Sequence, residues 1–91
     1  MAVETRDRPT LRAKLAHNIR RLRRRLGWSQ DRLAMEAGLN RTYLAEIERC
    51  HRNVGVDNVE KIARAFDVDE IELFLAERDG TAPADNFGRP K

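Results

Sequence analysis

The stretch Ser29–Arg49, SQDRLAMEAGLNRTYLAEIER, decides how the rest of this chain is read. Its apolar residues recur at helical spacing on both sides of Gly38-Leu39-Asn40, so it predicts two short helices joined by a tight turn. A turn that short needs a residue that accepts positive φ, and Gly38 supplies it. The two helices must then cross closely at a steep angle. That requires a small side chain where they approach, and Ala34 lies four positions before the glycine. It also requires apolar residues on the second helix facing back, and Leu44 and Ile47 lie six and nine positions after it. Leu33 and Ala37 complete the shared apolar face. Ser29 and Asn40 are suited to cap the two helices, with Leu39 and Leu44 placed as a hydrophobic staple across the second cap.

These positions, each with a packing reason, form the helix-turn-helix pattern. In that arrangement the second helix, here about 40–49, lies in a DNA major groove with its N-terminal end toward the base edges. The end in question is Arg41-Thr42-Tyr43, too polar and bulky to serve a core alone. An ordinary helical hairpin is the competing explanation.

Outward from this stretch the period remains helical. Thr10–Gly27, TLRAKLAHNIRRLRRRLG, carries Leu11, Leu15, Ile19, Leu22 and Leu26 on one stripe. Thr10 can cap it, Gly27 can close it in the left-handed conformation, and Trp28 falls where a Schellman motif places an apolar residue. Val56–Phe66, VDNVEKIARAF, carries Val56, Val59, Ile62, Ala63 and Phe66. Asp69 and Glu72 predict an acidic capping box for a last helix, EIELFLAE. No segment alternates as a strand would. The expected fold is all-α, a compact five-helix bundle over residues 10–78, with flexible polar tails at 1–9 and 79–91. It contains no internal repeat.

Composition fits one small soluble domain: 91 residues, 41% hydrophobic and 36% charged. No apolar run approaches the ~20 residues that span a bilayer, and the N-terminus has no signal-peptide segment. The single Cys50 and two isolated His residues offer neither a disulfide nor a metal spacing, which fits a reducing cytoplasm. The net charge of +3 is uneven. Residues 1–53 hold 13 Lys/Arg against 6 Asp/Glu, a net of +7, and residues 54–91 hold 5 against 9, a net of −4. A basic half suggests a polyanion-facing surface.

In its motifs the chain resembles the Xre/Cro type of bacterial and phage transcriptional regulators. The marks are LRRRLGWSQ, LA with AGL, IER and KIARAF followed by Val68, and they cover about Leu15 to Leu75. Within that family, NRTYLAEIER followed by Arg52-Asn53 is similar to the controller proteins of restriction–modification systems. The chain departs from the family pattern at Cys50, where glycine is usual, at Val54-Gly55, where Pro-Ser is usual, and in its longer tails.

Residue roles follow. Arg41 offers the two parallel donors that match guanine O6 and N7, with a phosphate contact as its other use. Thr42 can set its methyl or hydroxyl on a base edge. Tyr43 can do the same with ring or hydroxyl, or pack against the turn. Glu46 can accept from cytosine N4, or hold Arg41 or Arg49 in place. Gln30, at a helix N-terminus, suits a phosphate, and the resemblance supports that use. Asn40 can cap its helix and touch phosphate too. The resemblance implies that Arg52 and Asn53 clamp the DNA backbone. Of the run RRLRRR, Arg23 shares a side with Ile19 and Leu26, and the resemblance pairs it with Glu48 in a structural ion pair. Ile71, Phe74 and Leu75 exceed what the core needs, which suggests a homodimer face.

The function expected is that of a sequence-specific, dimeric DNA-binding regulator in a bacterial or phage-infected cytoplasm, associated with the nucleoid. Its partners would be double-stranded DNA, a palindromic operator, and a second copy, with no membrane, cofactor, metal or small-molecule ligand. An antitoxin-like protein-interaction module with secondary DNA binding is the alternative, disfavoured by a short tail poor in apolar residues. No catalytic constellation is present in the sequence, so no enzyme activity is expected. The arginines and His51 around Cys50 admit a redox role for its thiol.

Overall fold

The computed structural model describes residues 10–76, so the tails at 1–9 and 79–91, and residues 77–78 of the expected domain, lie outside the described residues. The elements are α1 (Leu11–Arg25), α2 (Gln30–Ala37), α3 (Arg41–Glu48), α4 (Val56–Phe66) and a 3₁₀ segment, Glu70–Phe74. Among the described residues there is no strand.

The caps fall where the sequence puts them. Thr10 accepts a hydrogen bond from the amide of Ala13, Ser29 from that of Arg32, and Asn40 from that of Tyr43. After α1, Gly27 takes φ 73° and the amide of Trp28 donates to the carbonyl of Arg23 at 2.9 Å, which closes the Schellman motif. Gly38 does the same after α2, with φ 71° and the amide of Leu39 on the carbonyl of Ala34.

The core is one cluster. Leu15, Ile19 and Leu22 of α1 meet Leu33, Ala34 and Ala37 of α2, Leu44 and Ile47 of α3, Ile62, Ala63 and Phe66 of α4, and Leu73. Ala34 and Ala37 let α2 and α3 approach, as the pattern requires. Trp28 stacks on Phe66 with centroids 5.9 Å apart, tying the α1–α2 connection to α4. Three residues assigned to the buried stripes are instead exposed: Leu11 (65%), Leu26 (49%) and Val56 (74%). Each stands at or just beyond a helix end, and Leu11 and Val56 line an open groove rather than the closed core.

The expected fifth α-helix is corrected to a single 3₁₀ turn. Asp69 caps it by accepting from the amide of Ile71, and the chain is extended again at Leu75. Asn18 explains the early stop. This side chain of α1 is buried, and its Nδ2 donates to the carbonyls of Leu73 (2.8 Å) and Leu75 (3.0 Å). Those carbonyls are satisfied from α1, without the amides of a continuing helix. The tight turn still delivers Leu73, fully buried, to the core.

The two departures from the family loop pattern have local consequences. Cys50 occupies the position after α3 with φ 65°, and the amide of His51 donates to the carbonyl of Glu46. The loop thus keeps a glycine-like turn with a residue that has a Cβ. The left-handed conformation costs such a residue about 1–2 kcal/mol. Glycine's greater freedom in the unfolded chain takes back about 0.5–1 kcal/mol. Cys50→Gly is therefore expected to stabilise the domain by roughly 0.5–1 kcal/mol, read as a higher urea midpoint. A lower midpoint would contradict this account of the turn. Gly55 stands at the N-cap of α4 and makes no side-chain cap bond.

Candidate nucleic-acid interface

The Gly38 turn sets the start of α3 at the surface. Its inward side is fixed by Leu44, Ile47 and Glu48, all buried, and its opening residues Arg41 and Thr42 are exposed. Arg41 reaches back to α2, with Nε 3.1 Å from Asp31 Oδ1. Both side chains are mostly exposed (61% and 74%), so the pair is worth little and is readily exchanged for a better acceptor.

Tyr43 has a structural attachment as well as a place in the first turn. It is half-buried against the core, and its hydroxyl accepts a hydrogen bond from Asn58 Nδ2 of α4 at 3.0 Å. Its ring lies under the guanidinium of Arg52, 5.3 Å from the centroid. Glu46, one turn after Thr42 on α3, pairs with neither Arg41 nor Arg49. It accepts from Arg52 Nε at 2.6 Å. That hydrogen bond holds the Glu46 carboxyl below its ordinary pKa against the opposing effect of desolvation, helped by the charges of Arg52, Arg49 and His51. The same contact raises the Arg52 guanidinium. The pair carries the loop after α3 onto the outer side of that helix. Asn53 beside it accepts a hydrogen bond from Arg12 of α1.

Beneath this surface lies a buried polar knot. Arg23 Nε and Nη2 grip the two carboxylate oxygens of Glu48 at 2.7 and 2.9 Å, and Arg23 Nη1 donates to the carbonyl of Trp28. Glu48 is 2% exposed, so the expected structural pair is present and internal. Gln30, placed at the start of α2, donates through Nε2 to Glu48 Oε1 at 3.0 Å, which leaves one amide N–H for other partners. Arg20 donates to the main-chain carbonyl of Glu48. The knot joins α1, α2 and α3, and so sets the pose of α3.

Ile71 and Leu75 are exposed (59% and 46%), whereas Phe74 packs partly into the core. Phe74 also lines an open, largely apolar groove of about 620 Å³ with Leu11, Leu15, Val54, Val56 and Val59. Sequence reasoning missed Asp31, Arg12 and Asn58 as partners of Arg41, Asn53 and Tyr43. Each joins residues of different elements, so no spacing along the chain could have announced them. No helix of the described residues is long and apolar enough to cross a membrane.

Known proteins share this arrangement. A family model described as helix-turn-helix matches residues 19–73. A hypothetical transcription factor of Neisseria meningitidis serogroup B is 43% identical over 75 residues, covering 82% of this chain and 71% of that protein. The crystal structure of the restriction-modification controller protein C.AhdI from Aeromonas hydrophila is 41% identical with a TM-score of 0.67, over 69% of this chain and 96% of that one. The controller protein C.Esp1396I, solved bound to a 25 base pair operator site, is 31% identical with a TM-score of 0.66, over 74% of this chain and 88% of that one. With a family match over more than half its length and a relative similar across most of both chains, this chain belongs to the helix-turn-helix family of DNA-binding transcriptional regulators.

Proposed function

We propose that the protein is a homodimeric, sequence-specific regulator of the controller type, with the N-terminal turn of α3 reading base edges in the major groove. The observation that carries this reading is the exposed pair Arg41-Thr42 at the capped start of a helix whose other side is locked in the core. Arg41 is assigned to guanine, Thr42 to a neighbouring base edge, and Glu46 to a cytosine amine. Tyr43 contributes by its place in the same turn. Asn40 at the cap of that turn, Gln30 at the start of α2, and Arg52 and Asn53 in the loop after α3 are assigned to the phosphates that set register. The likeness to C.AhdI and C.Esp1396I supports the controller reading. Such a regulator works in the cytoplasm, at the nucleoid, where its operator is. The experiment is selection of bound sites from a random duplex library. A palindromic consensus is expected, and recovery of unrelated sequences would count against sequence-specific binding.

Two copies double the half-site and make useful specificity attainable from a small domain. Ile71 and Leu75, exposed on the 3₁₀ segment and just after it, are the proposed contacts, with Phe74 supporting them from the core side. Sedimentation at micromolar concentration is expected to show a dimer. Ile71→Glu and Leu75→Glu should each shift it toward monomer, because a carboxylate would be buried at the interface. If both variants remained dimeric, this face would be the wrong one.

A further inference from the structure

Arg52 is held on two sides. Glu46 Oε1 lies 2.6 Å from its Nε, and the Tyr43 ring lies beneath its guanidinium, itself fixed by the Asn58 hydrogen bond to the tyrosine hydroxyl. Of the two carboxylates in α3, Glu48 is turned inward and Glu46 alone stands on the outer side. A carboxylate on a helix that faces DNA is repelled by every phosphate nearby. Glu46 contributes nothing to the buried core that would offset this, and the side chain it pairs with is Arg52.

We propose that Glu46 is a specificity-determining residue that acts by withholding Arg52 from generic DNA. The proposal rests on the reading of α3 as the recognition helix. On an arbitrary sequence, a phosphate that recruits Arg52 must break its contact with Glu46 and leave that carboxylate without a partner beside a polyanion. The phosphate contact is therefore penalised at wrong sites. Where a cytosine N4 amine faces Glu46, the carboxylate gains a replacement donor and Arg52 moves to phosphate without that penalty. Base reading by Glu46 and backbone binding by Arg52 are thus coupled, and specificity comes partly from suppressed binding elsewhere.

The test is a double-mutant cycle on a scrambled duplex, using fluorescence anisotropy over a salt series with the wild type, Glu46→Gln, Arg52→Gln and the double variant. Glu46→Gln is expected to bind the scrambled duplex roughly fivefold more tightly at about 0.15 M salt, with a log–log salt slope steeper by about 0.9, the signature of one added phosphate contact. The ratio of operator to scrambled affinity should fall. In the Arg52→Gln background the same change should gain less than about twofold, because the withheld cation is gone. An equal gain in both backgrounds would show a general effect of charge and overturn the proposal, as would no gain at all. A wild type that bound neither selected operator nor scrambled duplex would overturn the recognition-helix reading and this proposal with it.

Discussion

Replacing Glu48 with Ala is expected to destabilise the domain by about 3–5 kcal/mol, the usual cost of leaving one member of a buried ion pair without its partner. Glu48 is 2% exposed and the Arg23 side chain 12%, so water cannot stand in for the lost carboxylate. Arg23 would keep the Trp28 carbonyl but lose both bonds to Glu48, and the Gln30 amide would lose its acceptor as well. A loss of that size is a large share of the stability of a small domain. The double variant Arg23→Met/Glu48→Leu should cost much less than Glu48→Ala, since no charge is then left buried. Urea denaturation of the three proteins decides it. A Glu48→Ala loss below about 1 kcal/mol would mean that the pair is effectively solvated and does not set the pose of α3.

The parts of this molecule that were legible in the sequence are those governed by local rules. Gly38, Ser29 and Asn40 mark helix ends through constraints that act over three or four residues, and each takes the expected role. Ala34, Leu44 and Ile47 were legible because two helices joined by a short turn leave one way to pack. What was not legible depends on contacts between distant residues. The last element reads as an α-helix from Asp69 onward, and Asn18, 55 residues before Leu73, takes its carbonyl. Leu11 and Val56 fit the helical period, yet periodicity says nothing about where a neighbouring element ends. At the interface, Arg41 and Thr42 were found from the motif, whereas the hold of Glu46 on Arg52 depends on how the loop folds back over α3. Cys50 shows both sides: the resemblance marks it as a glycine position, and the structure supplies the reason, a φ of 65°.

The second large effect concerns Arg41. If the first turn of α3 faces base edges, Arg41→Ala should weaken binding to the selected operator by about 1–3 kcal/mol in each half-site, the range for a lost bidentate contact to guanine. Preference should relax at one base pair per half-site. Little else should change, because Arg41 has one weak, exposed partner in Asp31 and no role in the core, so the fold should be preserved. Arg52→Ala should behave differently, weakening operator binding and reducing the salt slope there by about one, whereas on the scrambled duplex, where Glu46 withholds Arg52, the slope should hardly change. The direct measurement is a salt series of anisotropy titrations of Arg41→Ala on operator and scrambled duplexes. The account predicts a large loss on the operator and a small one on the scrambled duplex, at nearly unchanged slope on the operator. Equal losses on both, with a flattened slope, would make Arg41 a phosphate clamp and contradict its assignment as the base reader.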